Sequence, residues 1–175
     1  MNVSSKNKIG VIALSALAVA ISTAVYADVP TPLTEGVTIN VTGTADATGN
    51  CTGTDPVSCT SLRGAIAFAN GNANGATEYD VINLPAGTYA LTQTTGLQIN
   101  EPVEIVGAGV DDTTIDGAGI DERIFTVNGV LADISEVHLT NGRAIHELGG
   151  AIFNDEKSIL SLSNCAITNS TATWD

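Results

Sequence analysis

Apolar and polar residues alternate with period two along Val37-Thr38-Ile39-Asn40-Val41-Thr42, which predicts a strand with one buried face. The period then changes. Leu62, Ala65, Ile66 and Ala69 recur at helical spacing, and Phe68 widens their apolar face. Thr60 or Ser61 is placed to cap this helix, and Asn70-Gly71-Asn72-Ala73-Asn74-Gly75 to end it as a loop. No helical period returns after Asn70. Short strand-like runs follow instead, at 81–84, 88–91, 97–99, 103–106, 124–127, 131–139, 151–153 and 159–167, punctuated by Gly, Asn, Asp or Pro.

These runs repeat. Leu131-Ala132-Asp133-Ile134-Ser135-Glu136-Val137-His138-Leu139-Thr140-Asn141 aligns with Ile159-Leu160-Ser161-Leu162-Ser163-Asn164-Cys165-Ala166-Ile167-Thr168-Asn169 at an offset of 28 residues. More loosely, Val103–Val106 aligns with Val137–Thr140 at an offset of 34. A strand-built repeat of this length predicts a solenoid, an all-β parallel β-helix of about four coils over 80–175. One coil cannot bury its inward face alone, so stacked coils share a core. Asn141 and Asn169 are expected to stack at a turn, with their amides in a ladder. The first coil of a solenoid needs a cap against edge-on association. The amphipathic helix within 51–79 is the expected cap.

Cysteine usage and charge place the chain. Lys6 and Lys8 precede the uncharged run Ile9–Ser22, and Val25-Tyr26-Ala27 offers small or medium residues to a signal peptidase. Residues 1–27 read as a cleaved secretory signal peptide, the run being too short to span a membrane. Residues 28–50 then hold a Pro/Thr-rich lead-in and the first strand. Export implies an oxidising compartment, so Cys51 and Cys59, flanking a loop of turn formers, are expected to be bridged. Cys165 is left over, and reads as a small buried hydrophobe. After the signal, four basic residues (Arg63, Arg123, Arg143 and Lys157) stand against 19 acidic ones. Such a chain repels phosphate backbones, which argues against nucleic acid as a partner. The acidity reads as a solvated surface.

Cys59-Thr60-Ser61-Leu62-Arg63-Gly64-Ala65-Ile66-Ala67-Phe68-Ala69-Asn70 resembles the N-terminal "CSLREA" motif of secreted bacterial right-handed β-helix proteins, with Thr60 inserted and Gly64 in place of the glutamate. Asp80–Tyr89, Val103–Gly109 and Thr114–Gly117 are similar to the segments that follow it in that family. Gly149-Gly150-Ala151-Ile152 resembles the "GGAI" repeat of chlamydial polymorphic outer-membrane proteins. The resemblance covers about 51–172. It implies a right-handed β-helix that is secreted or displayed at a surface, in a family where many members have no known catalysis. The chain stops directly after a coil, so it is expected to be a fragment, a truncated gene product or the first part of a longer solenoid. End-to-end pairing of the open last coil is one partner contact that follows.

Candidate chemistry is sparse. Gly107-Ala108-Gly109 after a strand imitates a dinucleotide fingerprint, but Asp112 stands where Gly or Ala belongs and no helix follows. His146-Glu147 opens like a zinc-protease helix, but position 150 is Gly and not His. No cofactor is expected from either motif. Gly107-Ala108-Gly109-Val110-Asp111 and Gly117-Ala118-Gly119-Ile120-Asp121 faintly repeat, and Asp111, Asp112, Asp116 and Asp121 are the candidate oxygen ligands for calcium. A β-helix lyase needs a basic residue, for which Arg123 is the candidate. A glycosidase needs two carboxylates facing one groove, for which the adjacent pairs are Asp111-Asp112, Asp121-Glu122 and Asp155-Glu156. The leading expectation is a non-catalytic, adhesin-like scaffold with a cell-surface or polysaccharide ligand. The alternative is the N-terminal part of a carbohydrate-active β-helix enzyme whose active coils lie beyond Asp175.

Overall fold

The computed structural model describes residues 33–72, 74 and 77–173. The expected signal peptide, the start of the lead-in, Ala73, Gly75 and Ala76 of the loop, and the last two residues lie outside the described residues. The chain opens with β1 (Thr34–Val41), a hairpin of β2 (Cys51–Thr52) and β3 (Val57–Cys59), and helix α1 (Leu62–Gly71). A first coil follows as β4 (Glu78–Asn83), β5 (Gly87–Ala90) and β6 (Leu97–Ile99). The second is β7 (Val103–Val106), β8 (Thr113–Asp116) and β9 (Phe125–Val127). The third is β10 (Leu131–Ser135), β11 (His138–Thr140), β12 (Arg143–Ile145) and β13 (Ile152–Asn154). A last set, β14 (Ile159–Ser163), β15 (Ala166–Thr168) and β16 (Thr171–Thr173), begins another turn.

Equivalent strands stack in parallel into long sheets. The first runs β14-β10-β7-β4-β1-β3-β2, the second β15-β11-β8-β5, the third β13-β9-β6, and β12 pairs with β16. All of these pairings are parallel except that of β2 with β3. The chain is therefore a parallel β-solenoid of about three turns. Its interior is built from columns of like residues. Ile39, Ile82, Ile105 and Ile134 lie in register and are fully buried. Tyr89, Ile115 and Leu139 form a second buried column. The alternation along each strand sets this up, because successive side chains point to opposite faces and only one face can be shared with the core.

Register corrects two readings. Val103–Val106 pairs with Asp80–Asn83 on one side and Ala132–Ser135 on the other, so its offset to the next coil is 29 residues and the 34-residue alignment to Val137 fails. The runs 131–139 and 159–167 are each two strands with a corner between. Glu136 and Asn164 occupy the corners with positive φ, as do Asn141 and Asn169 at the following turn. The expected Asn141–Asn169 amide ladder is replaced by other members: Asn141 Nδ2 donates to Asp116 Oδ1 at 2.8 Å and Asn128 Nδ2 donates to Asn100 Oδ1 at 2.8 Å.

Helix α1 packs against β1, β3, β4 and β6. Its buried face is Leu62, Gly64, Ala65, Ile66 and Ala69. Ser61 is the N-cap, its hydroxyl accepting from the Gly64 amide. Gly64 needs no side chain, since a Cβ there would sit 3.0 Å from the Gly49 Cα. Cys51 and Cys59, opposite each other in the β2–β3 pair, form a disulfide. No helix among the described residues is long and apolar enough to cross a membrane.

Candidate functional site

The seven-stranded sheet turns its polar faces outward and aligns them by coil. Glu104 of β7 is in register with Val81 on one side and Asp133 of β10 on the other, and Asp133 with Ser161. Neighbouring strands are about 4.8 Å apart, so the two carboxylate stems leave the sheet one strand step from each other. Tyr79, Glu104, Leu131 and Asp133 line a recess of about 180 Å³ on this face. Glu35, paired in register with Tyr79, extends the acidic edge.

The electrostatics follow from this stacking. Partial burial, then the charges of Asp133 and Glu35, push the Glu104 carboxyl above its ordinary value. The Tyr79 hydroxyl is raised by burial first and then by Glu104, Glu35 and Asp133. Like charges in directly opposed sheet positions destabilise by a few tenths to about 1 kcal/mol. Two neighbouring carboxylates, that of Glu104 raised toward its protonated form, beside a hydroxyl and an aromatic face, can bind a hydroxyl-rich or cationic group. None of the adjacent acid pairs named from the sequence supplies this arrangement. The 28-residue offset of the repeat carries Asp133 back to Ile105, one position off, and only the 29-residue step between β7 and β10 places Glu104 next to Asp133.

The sequence-derived calcium ligands are not brought together. Asp116 Oδ1 accepts from Asn141 and from the Ala118 amide, and Asp121 Oδ1 accepts from Arg143 at 2.8 Å. Asp111 and Asp112 lie exposed in the turn before β8. Among the described residues no three His, Cys, Asp or Glu side chains cluster to hold a metal ion. The Gly-Ala-Gly repeats that suggested a metal have a steric cause. A Cβ on Gly107 would lie 2.1 Å from the Glu136 carbonyl oxygen, and one on Gly119 would lie 2.2 Å from that of Leu91. Close approach of neighbouring coils demands glycine there.

Arg123, the candidate lyase base, is also corrected. Its side chain is buried, forms an ion pair with Glu147, and stacks 5.0 Å from the Phe153 ring centroid. A guanidinium held this way is a packing element and not a groove-facing base. The other arginine singled out by the CSLREA resemblance is structural as well. Arg63 on α1 donates to Asp46 Oδ1 at 2.6 Å and Oδ2 at 3.2 Å, and to the carbonyls of Thr95 and Gly96. Asp46 also accepts from the amides of Thr92 and Gln93. Cys165, partly buried, packs against the core beneath it.

Searches of protein-family models, curated proteins and solved structures find no match to this chain.

Proposed function

We propose that this chain is a secreted or surface-displayed β-helix scaffold, adhesin-like and without catalysis in this segment, whose long outward sheet face binds a neutral polysaccharide. One observation carries the reading: the recess of Tyr79, Glu104, Leu131 and Asp133 sits on a flat, in-register outer face. Tyr79 supplies an amphipathic ring, and the carboxylates supply hydrogen-bond acceptors for sugar hydroxyls. Their charge disfavours uronate polymers, which would bring further carboxylates to an acidic face. The CSLREA-like stretch and the disulfide support export, because a disulfide persists in oxidising compartments. The test is retention of the purified chain on immobilised neutral β-glucan and on polygalacturonate. Retention on the first and not the second, lost in Tyr79→Ala, is expected. No retention on either, or retention unchanged in Tyr79→Ala, overturns the reading.

The Glu104–Asp133 pair favours one second reading, a carbohydrate-active enzyme. Neighbouring carboxylates with one raised toward the protonated form are the minimum set for glycoside hydrolysis. Release of new reducing ends from β-glucan, abolished by Glu104→Gln, would establish it in place of the scaffold.

A further inference from the structure

The outer face of the seven-stranded sheet is a lattice with two periods. Along a strand, outward side chains recur every second residue. Along the solenoid axis they recur once per coil, about 4.8 Å apart. Register sorts them into three columns. The first is apolar. Tyr79, Pro102 and Leu131 each precede one member of the in-register set Asp80, Val103 and Ala132, so they follow one another on successive coils. All three are half-buried. The second column runs Val81, Glu104 and Asp133. The third runs Asn40, Asn83, Val106 and Ser135, with Asn83 Nδ2 donating to Asn40 Oδ1 at 3.1 Å. No lysine or arginine stands in any of the three. The recess lies between the first two columns and runs from Tyr79 to Leu131, two strand steps or about 10 Å along the axis. The second sheet offers no such stripe. Its outward columns are Thr88, Thr114 and His138, and Ala90, Asp116 and Thr140.

We infer that the ligand of this face is a β-1,4-linked neutral glycan, laid along the solenoid axis with one sugar ring per coil. This rests on the reading of the face as a polysaccharide-binding surface, and adds linkage and direction to it. A chain whose two linkage bonds are both equatorial, as in β-1,4 glucan, mannan or xylan, is a flat ribbon. It advances by nearly one strand spacing per ring. The ring C–H groups make a continuous apolar face, and the hydroxyls project from its edges. Laid on the first column, that face meets Tyr79, Pro102 and Leu131 in turn. The hydroxyls of one edge then donate to Glu104 and Asp133 in the adjoining column. Across the coils, in the strand direction, the match is lost, because the outward positions of β10 change from Leu131 to Asp133 to Ser135. Chains linked β-1,3 or α-1,4 wind into helices and lift successive rings off a straight column.

The test is titration calorimetry of the full chain with three series of glucose oligomers, linked β-1,4, β-1,3 and α-1,4, each from two to six rings. Binding is expected in the β-1,4 series, tightening about tenfold from two rings to four as further coils are reached. The other two series are expected to bind at least about tenfold more weakly at equal length. Leu131→Ser, a change on the outward face, is expected to remove the gain from the longer oligomers with an unchanged far-ultraviolet spectrum. The length series on the wild type needs no variant. Equal binding of the β-1,3 or α-1,4 series, or no gain beyond two rings, overturns linkage and direction and leaves the polysaccharide reading in place. No binding in any series overturns both.

Discussion

Replacing Asp46 with alanine tests how α1 is tied to the coils. The Asp46 side chain is 1% exposed and that of Arg63 12%. Asp46 accepts four hydrogen bonds, two from the Arg63 guanidinium and one each from the Thr92 and Gln93 amides at 2.7 and 2.9 Å. Removing one member of a buried ion pair costs about 3–5 kcal/mol. Arg63 keeps two carbonyl acceptors, Thr95 and Gly96, which draws the figure to the low end, about 3 kcal/mol. For a chain of this size that is a fall in Tm of roughly 10 °C. The assay is urea unfolding followed by circular dichroism, with Arg63→Met and the double variant completing a cycle whose coupling is about 1–3 kcal/mol. The pH dependence has a defined sign. Burial pushes the Asp46 carboxyl up, but hydrogen bonds from Arg63, Gln93 and Thr92 overcome it and hold it below 3.8. Its contribution is therefore complete above pH 3.8 and is lost as pH falls through the lowered value. The gap between wild type and Asp46→Ala should close in that window. A cost below about 1 kcal/mol, or a gap that stays constant into strong acid, would refute the reasoning.

Two other outcomes follow from the same structure. Glu104 behaves in the opposite sense: its folded value is raised above 4.5, so stability falls as pH climbs from 4.5 through that value. Glu104→Gln should flatten that slope and raise stability above it by about 0.5 kcal/mol in the same urea assay. Replacing Cys51 and Cys59 by serine opens a loop with a sequence separation of 8 and should cost about 2–3 kcal/mol, read as a lower urea midpoint with an unchanged slope.

The solenoid was legible because its two signals are local and repeated. Period-two alternation in Val37–Thr42 and the match of Leu131–Asn141 to Ile159–Asn169 each report a strand that buries one face. The disulfide was legible from proximity in the chain. What escaped the sequence depends on partners 17 to 47 residues away. Asp46 lies in an irregular stretch between β1 and β2, with nothing beside it to mark a tie to Arg63, Thr92 and Gln93. Glu104 and Asp133 look like two isolated surface acids until the 29-residue register sets them side by side. The first coil hid the true period, because Ile39, Ile82 and Ile105 are separated by 43 and then 23 residues, while the later spacings settle at 29 and 28. Glu136 and Asn164 broke single apolar runs into two strands by taking positive φ, which few residues other than glycine do without cost.

Columns of isoleucine that repeat from coil to coil also make the molecule a ruler. Each coil adds one strand spacing, about 4.8 Å, to the distance between the helix-covered first coil and any later one. Since a coil touches only its neighbours, inserting or deleting a whole coil changes that span and leaves α1 and the Cys51–Cys59 hairpin as they are. Length can thus change by whole steps while the cover over the first coil is kept.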